Sequence, residues 1–154
     1  MNFTFAKMKQ NKWWPFFVLL CLALQGCSVE PEPLVYGKDV CHFCKMTLMD
    51  ERFGAELVTH KGKIYKFDDV SCFLHFYNSD AESQQNYKYK LIVDYAHPGH
   101  LIEADFAFYL KSDNIKSPMA GKLAAFEKVE DKDKYYKAWK AIYLSWGEAV
   151  TEFK

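Results

Sequence analysis

Gly62-Lys63-Ile64-Tyr65-Lys66-Phe67-Asp68-Asp69-Val70 and Gly121-Lys122-Leu123-Ala124-Ala125-Phe126-Glu127-Lys128-Val129 carry one pattern twice, without gaps, at a constant offset of 59 residues. The match runs on to Tyr77 and Tyr136, so it joins a turn, a strand and a helix start in one phase, as a structural repeat does. Upstream of the first copy, Arg52 to Thr59 alternates Phe53, Ala55 and Leu57 with polar neighbours and reads as a half-buried strand. His60-Lys61-Gly62-Lys63 reads as a turn and Ile64 to Phe67 as the second strand of a hairpin. Asp68 or Asp69 can cap a helix whose apolar face is Val70, Phe73, Leu74 and Tyr77. A polar loop over 79–87 leads to a strand from Tyr89 to Tyr95. Around the second copy the same order is expected: a strand over Ala104–Lys111, a helix over Asp131–Lys140, a closing strand over Ile142–Trp146 and a helical turn or two over Gly147–Phe153. The expected fold is α+β, two small ββαβ units packed together over 40–99 and 100–154. Without the repeat, the same segments make a single irregular α+β domain.

The N-terminus is of another kind. Lys7, Lys9 and Lys12 precede an apolar run from Trp13 to Leu24, too short to span a bilayer, and Leu24-Gln25-Gly26-Cys27 follows. That is a signal peptide over 1–26, and its ending resembles a bacterial lipobox, which implies acylation of Cys27. Ser28 after the cysteine favours the outer membrane, by resemblance to sorted lipoproteins. Residues 27–39, with Glu30-Pro31-Glu32-Pro33, read as a short lipidated tether. Removing 1–26 takes three of the 20 basic residues and none of the 20 acidic ones, leaving a net charge of −3. A mildly acidic chain argues against nucleic acid as a partner. About 120 residues remain, enough for one compact domain or two very small ones.

Cys41-His42-Phe43-Cys44-Lys45-Met46 concentrates two thiols, an imidazole and a thioether in six residues. By spacing alone, Cys41-x-x-Cys44 fits a disulfide or redox pair, a zinc site or a copper site. Met46 tilts the reading toward copper, because thiolate plus thioether selects Cu(I) and neither a disulfide nor zinc uses a thioether. His42 is the histidine of most interest. Met119, after Pro118 in the loop over 113–120, is on composition a core gap-filler but sits where burial is difficult. Met49 is expected in the core. Cys72 and His75 share a helix face and are read as a buried small hydrophobe and a solvated residue. His97-Pro98-Gly99-His100 is either a polar turn or a weak divalent-ion site. No phosphate loop, Ser-His-Asp signature or paired carboxylates support hydrolase chemistry.

Cys44-x-Met46, Phe67-Asp68-Asp69, Asp94-Tyr95, Ser117-Pro118-Met119 and Ala124-Ala125-Phe126, in that order, resemble the NosL family over essentially the whole mature sequence. The resemblance implies a lipid-anchored protein on the periplasmic side of the membrane. It would have no turnover of its own and would deliver Cu(I) toward the copper sites of nitrous oxide reductase in company with an ABC-type membrane complex. It also implies copper binding by Cys44, Met46 and Met119; Cys41 or His42, in the same motif, can add a further donor. Two alternatives stand beside it: a thiol-disulfide oxidoreductase using Cys41 and Cys44, and a chaperone for a different extracytoplasmic copper enzyme.

Overall fold

The computed structural model describes residues 29–79 and 84–154. The signal peptide and Cys27 lie outside them. Strands β1 (Ala55–Thr59), β2 (Ile64–Phe67), β3 (Tyr87–Val93) and β4 (Leu101–Glu103) form an antiparallel sheet in the order β2-β1-β3-β4, with helix α1 (Val70–Asn78) between β2 and β3. Strands β5 (Phe108–Lys111), β6 (Leu123–Phe126) and β7 (Ile142–Leu144) form a second antiparallel sheet in the order β6-β5-β7, with α2 (Val129–Trp139) before β7 and α3 (Trp146–Glu152) after it. The fold is α+β with two small antiparallel sheets, and each sheet puts the first strand of its ββαβ run in the centre. The repeat is present in the backbone: β2 and β6, and the first residues of α1 and α2, stand 59 residues apart.

The two helices differ as their sequences do. Helix α1, VSCFLHFYN, buries Val70, Ser71, Cys72, Phe73, Leu74, Phe76 and Tyr77. It lies between its own sheet and β6, and Phe73 and Tyr77 meet the ring of Trp146 at 6.1 and 5.4 Å. A helix apolar nearly all round belongs in the middle of a molecule. Helix α2, VEDKDKYYKAW, buries no residue fully and only leans Tyr135 and Trp139 on Phe126 and Tyr95. The sheets meet where Asp94 bridges Ala125 and the Tyr95 amide donates to the Ala125 carbonyl at 2.9 Å.

Three local expectations are revised. The run 104–111 is not one strand: residues 101–103 join the first sheet, Ala104–Phe106 form a 3-10 turn, and only Phe108–Lys111 joins the second. The chain changes sheets there, and the Tyr109 hydroxyl fixes the corner by donating to the Ala104 carbonyl at 2.7 Å. The closing strand ends at Leu144, because Ser145 and Glu148 form a capping box that opens α3. Finally, β1 is buried on both faces rather than one. Helix α1 covers Ala55 and Leu57. Residues 29–39, the described part of the expected tether over 27–39, run along the sheet and place the Glu32 amide 3.0 Å from Glu56 Oε1.

Glu56 is thus fully buried, and its Oε2 has no hydrogen-bond partner among the described residues. Burial pushes its carboxyl up to about 7. An exposed glutamate titrates near 4.3, so the native state holds this proton more tightly, and its contribution makes stability fall between about pH 4 and pH 7 by up to roughly 3 kcal/mol before levelling off. Glu56→Gln keeps the acceptor for the Glu32 amide and removes the titration. Urea unfolding at pH 5 and pH 8 should therefore show a clear loss of stability in the parent chain and a smaller one in the variant.

Candidate metal centre

The sulfur motif is a tight loop closed by a bridge between Val40 and Thr47. The Cys41 amide donates to the Met46 carbonyl at 2.7 Å, the Lys45 amide donates back to the Cys41 carbonyl at 3.0 Å, and Lys45 takes the left-handed conformation at φ 66° that the reversal requires. The His42 amide donates to the Lys66 carbonyl at 2.7 Å, which pins the loop to the end of β2. Directly beyond that end come Asp68 and Asp69, with divided roles. Asp69 caps α1: its Oδ1 accepts from the Ser71 amide at 2.7 Å and the Ser71 hydroxyl at 2.8 Å. Asp68 faces the loop, and its Oδ1 accepts from the Cys44 thiol at 3.3 Å.

Cys72, in the first turn of α1, completes a cluster. One ligand atom from each of Cys41, Cys44, Asp68 and Cys72 lies within 4.8 Å of all the others. Cys41 and Cys72 are buried, Cys44 is half-buried, and all three are free thiols. Their ionisation is uneven. Hydrogen bonding to Cys72 outweighs burial and, with the Cys44 amide, draws the Cys41 thiol down to about 6. The Cys72 thiol is raised by the same interaction and by burial. Burial pushes the Cys44 thiol up to about 11, against the pull of the Met46 amide. Ionisation within the cluster is thus favoured at Cys41, near the N-terminus of a helix, which favours negative charge. Sulfur donors in this number suit a soft cation.

Cys41 and Cys44 are brought together as the sequence implied. Met46 is 52% exposed, two residues beyond Cys44. Met119 is 39% exposed, and its amide donates to Asp69 Oδ2 at 2.8 Å, so the loop of the second sheet folds onto the capping aspartate next to Asp68. Gly121 permits that approach: a Cβ there would sit 2.5 Å from the Ser71 Cβ. His42 stands apart from the four-residue cluster, with its ring edge-on to Tyr65 and Phe76 at 4.6 and 5.1 Å. Met49 is not in the core. It is 71% exposed and lines a shallow cleft with Ser117 and Pro118, because residues 51–53 form a turn and β1 starts only at Ala55. His97 and His100 do not converge: Nδ1 of the first meets Asp94 at 2.6 Å and the second faces Glu127 at 3.7 Å.

Cys72 was legible only as a buried small residue, which it is. The signal for more lay in its place, in the first turn of a helix that follows an Asp-Asp pair. The burial order predicts reactivity. Ionisation favours Cys41, but its full burial keeps the reagent out, so limited iodoacetamide on the native protein should modify Cys44 first, with Cys41 and Cys72 reacting only on unfolding, as peptide mapping would show.

The family model for NosL matches residues 34–151. The chain is 26% identical over 127 residues, 74% of its own length and 67% of the relative's, to the copper-binding lipoprotein NosL of Stutzerimonas stutzeri. It superposes on the crystal structure of the copper chaperone NosL from Shewanella denitrificans with a TM-score of 0.66 at 17% identity, covering 79% of this chain and 96% of that one. With the family model spanning the folded part from the strap before the sulfur loop to the last helix, this chain belongs to the NosL family.

Proposed function

We propose that the protein binds Cu(I) at Cys44, with Met46 and Met119 as thioether donors and Cys41 as a further sulfur, and passes it on to a copper enzyme without turnover of its own. The observation that carries this reading is the grading of sulfur across one end of the molecule. Buried thiols at Cys41 and Cys72 lead to a half-buried thiol at Cys44, and exposed thioethers flank it at Met46 and on the Met119 loop. Methionine ordinarily fills gaps in cores. Here Met46, Met49 and Met119, the three methionines among the described residues, are all exposed. Exposed thioethers are costly to keep for packing and useful for exchange, since they are neutral, weak donors to a soft ion and need no deprotonation. Two or three sulfurs suffice for Cu(I), whereas zinc favours four tight ligands.

The oxidoreductase reading is weaker. A reactive Cys-x-x-Cys begins a helix after a strand, but this one occupies a closed loop with its first cysteine fully buried. By family, the receiving enzyme is nitrous oxide reductase, served together with an ABC-type complex. The curated relative's description as a lipoprotein supports the lipobox reading, with Cys27 as anchor on the periplasmic side of the membrane and the outer membrane favoured. No helix among the described residues is long and apolar enough to cross a membrane. Acyl chains at Cys27 would hold the protein stably.

Titration against a Cu(I) chelator tests the site. Cys44→Ser should lose most of the affinity, Met46→Leu and Met119→Leu each a part, and His100→Ala none; full affinity in Cys44→Ser would end the proposal. Deleting the gene and assaying copper in nitrous oxide reductase tests the partner. A copper-poor reductase is expected, and a replete one points to another extracytoplasmic copper enzyme.

A further inference from the structure

The segment between the lipidation cysteine and the sulfur loop lies down on the first sheet from its outset. The Val29 carbonyl accepts from Lys88 Nζ at 2.7 Å, and Glu30 Oε2 accepts from the Tyr89 hydroxyl at 3.3 Å. A Cβ at Gly62, in the β1–β2 turn, would be in van der Waals contact with Val29 at 3.5 Å. Next, the Glu32 amide donates to Glu56, and Lys66 Nζ donates to the Pro33 carbonyl at 3.0 Å and pairs with Asp39 at 2.8 Å. Leu34 and Tyr36 pack over Gly54, where a Cβ would lie 2.5 Å from Leu34 Cδ1 and 2.6 Å from the Tyr36 hydroxyl. The strap therefore starts at the hairpin tip, runs the length of β1 to its other end, and turns back through Asp39 into Cys41.

This geometry leaves almost no free chain. Only Ser28 separates Cys27 from Val29 in the sequence, and two residues of extended chain reach at most about 7 Å. We infer that the strap holds the folded unit against the lipid surface by the tip of its β1–β2 hairpin, with His60, Lys61 and Lys88 at the headgroups and the sulfur cluster turned away. The inference rests on acylation of Cys27. Two features of the fold support it. The tip is basic, with a small cleft lined by Thr59, His60, Lys61, Lys63 and Asn86, and cationic side chains next to an anchor suit an anionic headgroup layer. The sulfur loop lies at the far end of β2: Gly62 is in the tip and Asp68 is in the cluster, six residues apart and separated by about 20 Å of extended chain. Anchor and metal site are thus at opposite ends of one sheet, and the site faces a partner arriving from the aqueous side.

Lysine acetylation of membrane vesicles displaying the full lipoprotein, read by peptide mass spectrometry, tests this. Lys61 and Lys88 should react several-fold more slowly in the acylated protein than in soluble Cys27→Ala, while Lys45 and Lys116 react equally in both. A Gly-Ser insertion of about 16 residues after Ser28, spanning roughly 20 Å, should restore the tip lysines with the acyl group still present. Equal reactivity of the tip lysines in the two forms, with acyl mass found on Cys27, overturns the orientation alone. Protection of Lys45 and Lys116 instead overturns it in favour of the opposite pose. Absence of acyl mass on Cys27 defeats the lipidation reading and the orientation together.

Discussion

One buried carboxylate sets the geometry of the sulfur-rich end. Asp69 is fully buried, and its two oxygens serve two different parts of the molecule: Oδ1 satisfies the start of α1 through Ser71, and Oδ2 receives the Met119 amide from the second sheet's loop. Hydrogen bonds to a charged acceptor contribute about 1.5–3 kcal/mol each, and a buried donor deprived of its acceptor costs a similar amount. The seam between the two units at this point therefore depends on a group that also decides where α1 begins. The start of α1 in turn places Cys72, and the residue before the cap places Asp68. Asp68, Cys72 and the Met119 loop are thus positioned through Asp68-Asp69 and the turn that follows.

The electrostatics of the cluster fit a cation that comes and goes. Three thiols and a carboxylate within 4.8 Å cannot all carry charge in a partly buried site, and the hydrogen bonding between Cys41 and Cys72 concentrates ionisation on Cys41. A monovalent soft ion bound at Cys44 would displace the proton of that half-buried thiol. The thioethers outside it carry no proton at all. Such a site can be loaded and emptied by exchanging one donor at a time, which a closed tetrahedral thiolate site resists.

Much of the architecture was legible because the repeat is written in side chains that matter to strands. Apolar termini at Ile64 and Phe67, and at Leu123 and Phe126, set β2 and β6 to the residue. The broken strand at 104–106 was not legible, because a change of sheet is a tertiary event and the apolar alternation runs through it. The burial of Glu56 was hidden for a similar reason: an acid at an alternating position reads as solvent-facing until a strap from elsewhere covers it. The start of α3 could have been read, since Ser145-Trp146-Gly147-Glu148 spells a capping box. At the site, motif and loop chemistry marked Cys41, Cys44, Met46 and Met119. The thiol of Cys72 joins them only in three dimensions, through a helix that the local sequence shows as apolar on nearly every side.

We propose that Cu(I) sits on sulfur at the Asp68-Asp69 corner, with a donor from each of the two units. X-ray absorption at the copper edge of the Cu(I)-loaded protein, compared with Met119→Leu, addresses it most directly. The account predicts a shell of sulfur scatterers alone in the parent protein and one fewer sulfur in the variant. An imidazole or oxygen in the shell, or a shell unchanged by the loss of Met119, would contradict it.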